Sequence, residues 1–119
     1  MKEEFKSRLF SYVIKLIKFL GSLSKDIVTR EIISQLMRSG TSIGANYFEA
    51  QSASFRKDYI NYFTHSLKSA NETKFWLNVC LESKLVPEEK ILDCKWLLCE
   101  TNELARIFAS SIVTMKKQK

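Results

Sequence analysis

A single proline, Pro87, and three glycines, Gly21, Gly40 and Gly44, are all that a 119-residue chain offers as backbone breakers. A chain with so few places to turn must run in long segments, and its apolar residues recur with the helical period. Phe5, Leu9, Tyr12, Val13, Leu16 and Leu20 fall at i, i+3 and i+4 spacing, and Gly21-Ser22 supplies a stop, which predicts a helix over 2–21. Ile33, Leu36, Gly40, Ile43, Tyr47 and Ala50 predict a second over 26–52, with Asp26 as its cap. Ser54 is placed to cap a third over 55–83, whose core face is Ile60, Phe63, Leu67, Ala70, Leu77 and Leu81. Pro87 suits a first helical position, with Glu88 and Glu89 where the helix dipole favours negative charge. From there Ile91, Cys94, Leu98, Ala105, Phe108, Ile112 and Met115 predict a fourth helix over 87–116. Short connections between four helices imply an all-α, up-down-up-down four-helix bundle, one domain over 1–119.

The apolar residues exceed what one core face per helix needs. At 100° per residue Phe75, Trp76, Leu77, Val79, Cys80 and Leu81 cover nearly the whole circumference of the third helix. Trp96 to Cys99 repeats the feature in the fourth, and Phe10, Ile14 and Ile17 lie on a flank of the first apart from its core face. Helices that are apolar on several sides are buried on several sides, which implies a homo-oligomer with Phe75, Trp76 and Trp96 among its contacts.

The stretch RSGTSIGANYFEA, Arg38 to Ala50, sets two glycines inside the second helix, each at a cost of roughly 1 kcal/mol relative to alanine. Gly40 and Gly44 are one turn apart and form a small-residue notch on the core side. Such a notch admits a neighbouring helix, or a large Trp or Tyr side chain, and the dispersion gained at close contact offsets the cost. Arg38, Ser42, Asn46 and Glu49 lie at roughly 0°, 40°, 80° and 20° around the same helix, a single polar stripe. Two readings stand: a solvated face, or a hydrogen-bonded network at a subunit contact with Arg38 and Glu49 pairing between chains.

Nineteen Lys and Arg against thirteen Asp and Glu give a net charge of +6, which favours a polyanion or an acidic partner. Lys57, Asn61 and Lys68 share the outer face of the third helix, with Arg56 and Lys74 at its edge. Lys116, Lys117 and Lys119 close the chain. These are the candidate nucleic-acid contacts, through the phosphate backbone and without base-specific readout, since no motif of a sequence-reading domain accompanies them. The alternative is an adaptor that docks a partner enzyme through the same basic and apolar surfaces. Catalysis has little to work with. His65 is the only histidine, Cys80, Cys94 and Cys99 show no CxxC spacing, and the Glu88-Glu89 pair points two ways, so neither an enzyme nor a metal or organic cofactor is expected. The most apolar segment, LFSYVIKLIKFLGSL, is broken by Lys15 and Lys18, so no membrane span or signal peptide is expected, and the cysteines read as reduced residues of a cytoplasmic protein.

Residues 35–77, QLMRSGTSIGANYFEAQSASFRKDYINYFTHSLKSANETKFWL, resemble the signature of four-helix-bundle proteins encoded in intervening sequences of bacterial large-subunit ribosomal RNA genes. The matching positions are Arg38, Ser42, Ile43, Asn46, Glu49, Ala50, Lys57, Asp58, Tyr59, Ile60, Ser69, Glu72 and Leu77. The family is related to the accessory variability determinant of diversity-generating retroelements. The resemblance implies ring-like homopentamers of four-helix bundles, and, through the retroelement relatives, contact with nucleic acid or with a reverse transcriptase. Tyr47-Phe48 departs from the pattern, standing where many relatives carry a smaller or acidic pair.

Overall fold

The computed structural model describes residues 2–118, an elongated body of 50 × 24 × 21 Å. Four helices follow one another: α1 (Lys2–Gly21), α2 (Ile27–Ala50), α3 (Arg56–Glu82) and α4 (Ile91–Lys117), the last preceded by a single 3-10 turn at Glu88–Lys90. Consecutive helices run antiparallel, as pairs of contacts running in opposite senses attest: Leu16 with Gly40 and Val13 with Gly44 for α1 and α2, Ile43 with Ser66 and Ser39 with Thr73 for α2 and α3, and Leu77 with Cys94 and Lys74 with Asn102 for α3 and α4. The bundle is therefore up-down-up-down, with one buried core along its axis.

Local chemistry sets the helix ends, and two differ from the sequence reading. Asp26 caps α2 as expected, its carboxylate accepting from the Thr29 amide at 2.9 Å. The hydrogen bond from Ser24, followed by that from the Thr29 amide, holds the Asp26 carboxyl below its usual range. At α3, however, the cap position falls on Phe55, not Ser54, and no side chain closes it. The chain enters α3 one residue later than a Ser54 cap would require, because Phe55 is already extended at φ −123° and ψ 147°. Pro87 likewise precedes the fourth helix instead of opening it: the tighter 3-10 turn intervenes and α4 starts at Ile91. Between them, Lys84 takes the left-handed conformation, φ 60°. Leu85 N–H reaches back to Cys80 O at 3.1 Å and Lys84 N–H to Leu81 O at 3.2 Å, a double closure of the α3 C-terminus that normally calls for glycine.

The notch on α2 belongs to packing against α1, and the two glycines differ. A Cβ on Gly40 would overlap Leu16 Cδ2, so the absence of a side chain there is what admits Leu16 to the core. Of the two occupants expected, a neighbouring helix or a large aromatic side chain, the structure has the helix: α1 approaches with Leu16. A Cβ on Gly44 would sit 3.7 Å from Val13 Cγ2 and 3.9 Å from Leu9 Cβ, ordinary contact, so Gly44 is not required sterically. Where α1 and α3 begin and α2 and α4 end, rings fill the core: Phe5, Tyr47, Phe63 and Phe108 meet edge-on or tilted at 5.0 to 5.7 Å between centroids. Buried hydroxyls are paired. Ser66 donates to Ile43 O at 2.8 Å and Ser39 meets Thr73 at 2.9 Å.

Candidate functional site

The residues expected on a nucleic-acid face separate into three places. Lys57, Asn61 and Lys68 are exposed along one line of α3, an arrangement that follows from their spacing of four and seven residues. Arg56 turns the other way, donating to Gln118 at 3.1 Å, which joins the start of α3 to the end of α4 beside the exposed Lys116 and Lys117. Lys74 is off the face altogether. It is half-buried between α3 and α4 with its ammonium 3.3 Å from Asn102 Oδ1. Lys119 lies outside the described residues.

The polar stripe of α2 is in part tied to its own helix. Ser42 donates to Arg38 O at 2.6 Å and Asn46 to Ser42 O at 2.9 Å, so these two side chains satisfy α2 carbonyls. Arg38 and Glu49 are exposed. Glu49 lines an open cavity of about 510 Å3 at the α2–α3 turn, shared with Asp58, Asn61, Tyr62 and His65. Sequence spacing alone gave no sign that the lone histidine and Glu49 border one cavity.

The apolar candidates also divide. Phe75 is exposed and meets Trp76 edge-on at 5.0 Å, while Trp76 is half-buried against the core. Trp96 stands apart from both, on the flank of α4 that faces α1, with Lys15 Nζ 4.1 Å from its ring centre. A further apolar face joins α1 to α2: Phe10, 63% exposed, touches Phe48 at 5.7 Å, and Ile14 and Ile17 continue it along α1. Phe48 thus projects outward while its neighbour Tyr47 enters the core.

A cleft that sequence spacing did not reveal runs between α1 and α4. It holds about 490 Å3 and is lined by Lys15, Lys18 and Phe19 from α1, Lys90 from the 3-10 turn, and Leu92, Asp93, Trp96 and Leu97 from the start of α4. Its two walls are some seventy to eighty residues apart in the chain, and no local pattern pairs them. Below it a buttress fixes the two helices. Arg8 grips Glu100 with two hydrogen bonds of 2.7 and 3.0 Å, and that bond raises the Arg8 pKa further. Behind the pair, the buried Tyr12 hydroxyl bonds Thr101 Oγ1. Thr101 gives its one proton to Leu97 O at 2.6 Å, so Tyr12 is the donor.

Of the three cysteines, Cys80 and Cys94 are buried and Cys99 is exposed. Burial pushes Cys80 up to about 11 and Cys94 up to about 12, so both are neutral thiols at neutral pH. Among the described residues no cluster of His, Cys, Asp and Glu could hold a metal ion, and no helix is long and apolar enough to cross a membrane.

The comparisons agree with this architecture. The profile of the family described as 23S rRNA-intervening sequence protein matches residues 4–110. Among solved structures, the chain is similar to a protein of unknown function from the S23 ribosomal protein family of Bacteroides thetaiotaomicron. The two share 32% identity over 90% of this chain and 96% of the other, with a TM-score of 0.77. No curated protein matches the chain.

Proposed function

The chain belongs to the 23S rRNA-intervening sequence protein family, and from that premise we propose that it works as a non-enzymatic, oligomeric scaffold that binds the backbone of RNA or DNA. The observation that carries this reading is the unneutralised positive charge. Among the described residues the ion pairs engage Lys6, Arg8 and Arg106, whereas Lys57, Lys68, Lys116 and Lys117 stand exposed with no carboxylate partner. Cations free of partners attract phosphates and release condensed counterions on binding, a gain that needs no particular base sequence. The family's description ties its members to 23S ribosomal RNA genes, which supports RNA as the first nucleic acid to test.

The assembly in this proposal is a cytoplasmic ring-like homopentamer. Its support is the exposed Phe10, Ile14, Ile17 and Phe48 face, together with Phe75 on α3. Contiguous apolar surface of this kind marks an interaction site. A ring needs two different faces on each protomer, and these lie on different helices. Repetition around a ring would multiply the +6 of one chain into a strongly attracting field.

The test is fluorescence anisotropy with labelled structured RNA and duplex DNA over a salt series, on a fraction whose mass is set by light scattering. Binding of about micromolar strength that weakens steeply with salt is expected. No binding at low salt would reject the nucleic-acid role and leave a protein partner, such as an enzyme docked on the apolar face.

A further inference from the structure

We propose that the α1–α4 cleft is a base-stacking subsite for single-stranded nucleic acid, with Trp96 as the platform. The inference rests on the nucleic-acid reading above and places the bases on a face other than the α3 line of Lys57 and Lys68. Three observations meet there. Trp96 is 42% exposed and Leu92, one turn earlier, 81% exposed, so an indole and an aliphatic side chain line an open slot whose floor is the buried Phe19 and Leu97. Lys15, Lys18 and Lys90 rim the slot against the single carboxylate of Asp93. Lys15 Nζ already sits 4.1 Å from the indole centre, so a cation is held where a stacked base and its phosphate would arrive together.

The chemistry of the slot selects the occupant. Aromatic platforms beside cations bind single strands, each base giving its face to a ring and its phosphate to a lysine, with little dependence on sequence. A base entering here takes the place of the Lys15 ammonium on Trp96, and the freed ammonium follows the phosphate. A duplex offers no unstacked base and meets only the lysines. An amphipathic helix of a partner protein would need apolar anchors over two turns or more. In this cleft the exposed apolar side chains are Leu92 and Trp96, a span of one turn. None of Phe10, Ile14, Ile17 and Phe48 lines the slot.

The experiment uses the full chain carrying Trp76→Phe, which leaves Trp96 as its one indole, since the chain has two tryptophans. Titration with a short labelled oligo(dT) is followed by indole emission and by anisotropy of the label. We expect saturable quenching of Trp96 in step with the anisotropy, and weak quenching by duplex DNA. Trp96→Leu should weaken oligo(dT) binding about 5- to 150-fold, the range for loss of one stacked base. Lys15→Gln should weaken it less and lower the salt slope by about one. Should Trp96→Leu lose helical circular dichroism, Trp96→Phe keeps a ring and should bind with intermediate affinity. A rise in anisotropy without quenching would overturn the subsite and leave the backbone reading standing. Silence of both signals with every nucleic acid would overturn both. Quenching by a short Glu/Leu peptide but not by oligo(dT) would give the cleft to a protein segment, against the proposal.

Discussion

The two ends of this bundle keep one helical register but pack it by different means. At the end where α2 stops and α3 starts, Phe5, Tyr47, Phe63 and Phe108 interlock ring against ring. Toward the other end, Leu16, Leu36, Leu77, Leu97, Cys80 and Cys94 fill most of the core around the buried ring of Phe19, and close approach depends on the bare backbone of Gly40. Large rings fill volume by shape, so removing one leaves a hole that neighbours cannot close. Aliphatic and sulfur side chains adapt better, but here they bring thiols into a dry core, where charge is penalised. One end should therefore be sensitive to truncation and the other to added volume and to alkali.

The largest effect expected from this contrast is at Phe108, which is fully buried and touches Phe5, Tyr47 and Phe63. Phe108→Ala should cost about 3–5 kcal/mol, the range for truncating a core aromatic, measured as the shift in urea unfolding. Cys94→Ala at the opposite end removes one sulfur and should cost far less. Equal losses at the two positions would erase the distinction.

Alkali should act on the thiol end next. The folded values of Cys80 and Cys94, about 11 and about 12, lie above their ordinary 9.0. Between these values the unfolded chain binds fewer protons than the folded one, so stability falls as pH rises; it is fully present below about 9. By pH 10 each thiol should cost on the order of 1 kcal/mol, once the unfolded thiols are mostly ionised. Tyr12, raised from 10.0 to about 12 by burial, joins in above pH 10. Urea midpoints between pH 8 and 10 should decline less in Cys80→Ala/Cys94→Ala than in the native chain. Parallel declines would place the sensitivity elsewhere.

Gly40 and Gly44 sharpen the comparison because the same substitution should change sign over one turn. Gly40→Ala collides with Leu16, which is buried and has little room to yield, so a loss of about 1–2 kcal/mol is expected after the gain in helix propensity. Gly44→Ala meets only ordinary contacts and should stabilise by up to about 1 kcal/mol. Thermal unfolding of the two variants side by side decides it.

This pair also marks how far the sequence could be read. The 3.6-residue period located four helices and put both glycines on the buried side, because periodicity reports which face is covered. It could not tell Leu16 from an aromatic as the group in the notch, since that depends on how α1 slides along α2. Helix ends were legible where a side chain closes them, as at Asp26, and misread at Ser54 and Pro87, where backbone geometry decides. Lys57 and Lys68 were placed together by spacing on one helix. Lys74 was set only at the edge of that face, and spacing could not show that it turns inward, because its partner Asn102 lies on α4. The Trp96 cleft escaped for the same reason: Lys15 and Trp96 share no local pattern.

A smaller effect is expected at Lys84, the one non-glycine residue with positive φ among those described. The left-handed conformation costs an L side chain about 1 kcal/mol, and glycine is free of that strain but loses more entropy on folding. Lys84→Gly should therefore stabilise by less than about 1 kcal/mol, read as a higher urea midpoint with unchanged slope. A destabilised variant would mean that the aliphatic stem of Lys84 contributes packing at the α3 end that outweighs its backbone strain.

The smallest effect on stability belongs to Lys15, and its smallness is informative. The ammonium over Trp96 is exposed, where a cation–π contact contributes about 0.5–1 kcal/mol. The two helices are already fixed beside it by the Arg8–Glu100 pair and the Tyr12–Thr101 bond. Lys15→Gln should thus lower stability by less than about 1 kcal/mol, whereas Glu100→Gln, which removes the carboxylate that Arg8 grips, should cost more. A contact that contributes little to the fold is free to be exchanged for a ligand. If Lys15→Gln instead unfolded at a much lower urea concentration, the ammonium would be holding α1 to α4, and a base could not displace it without opening the bundle.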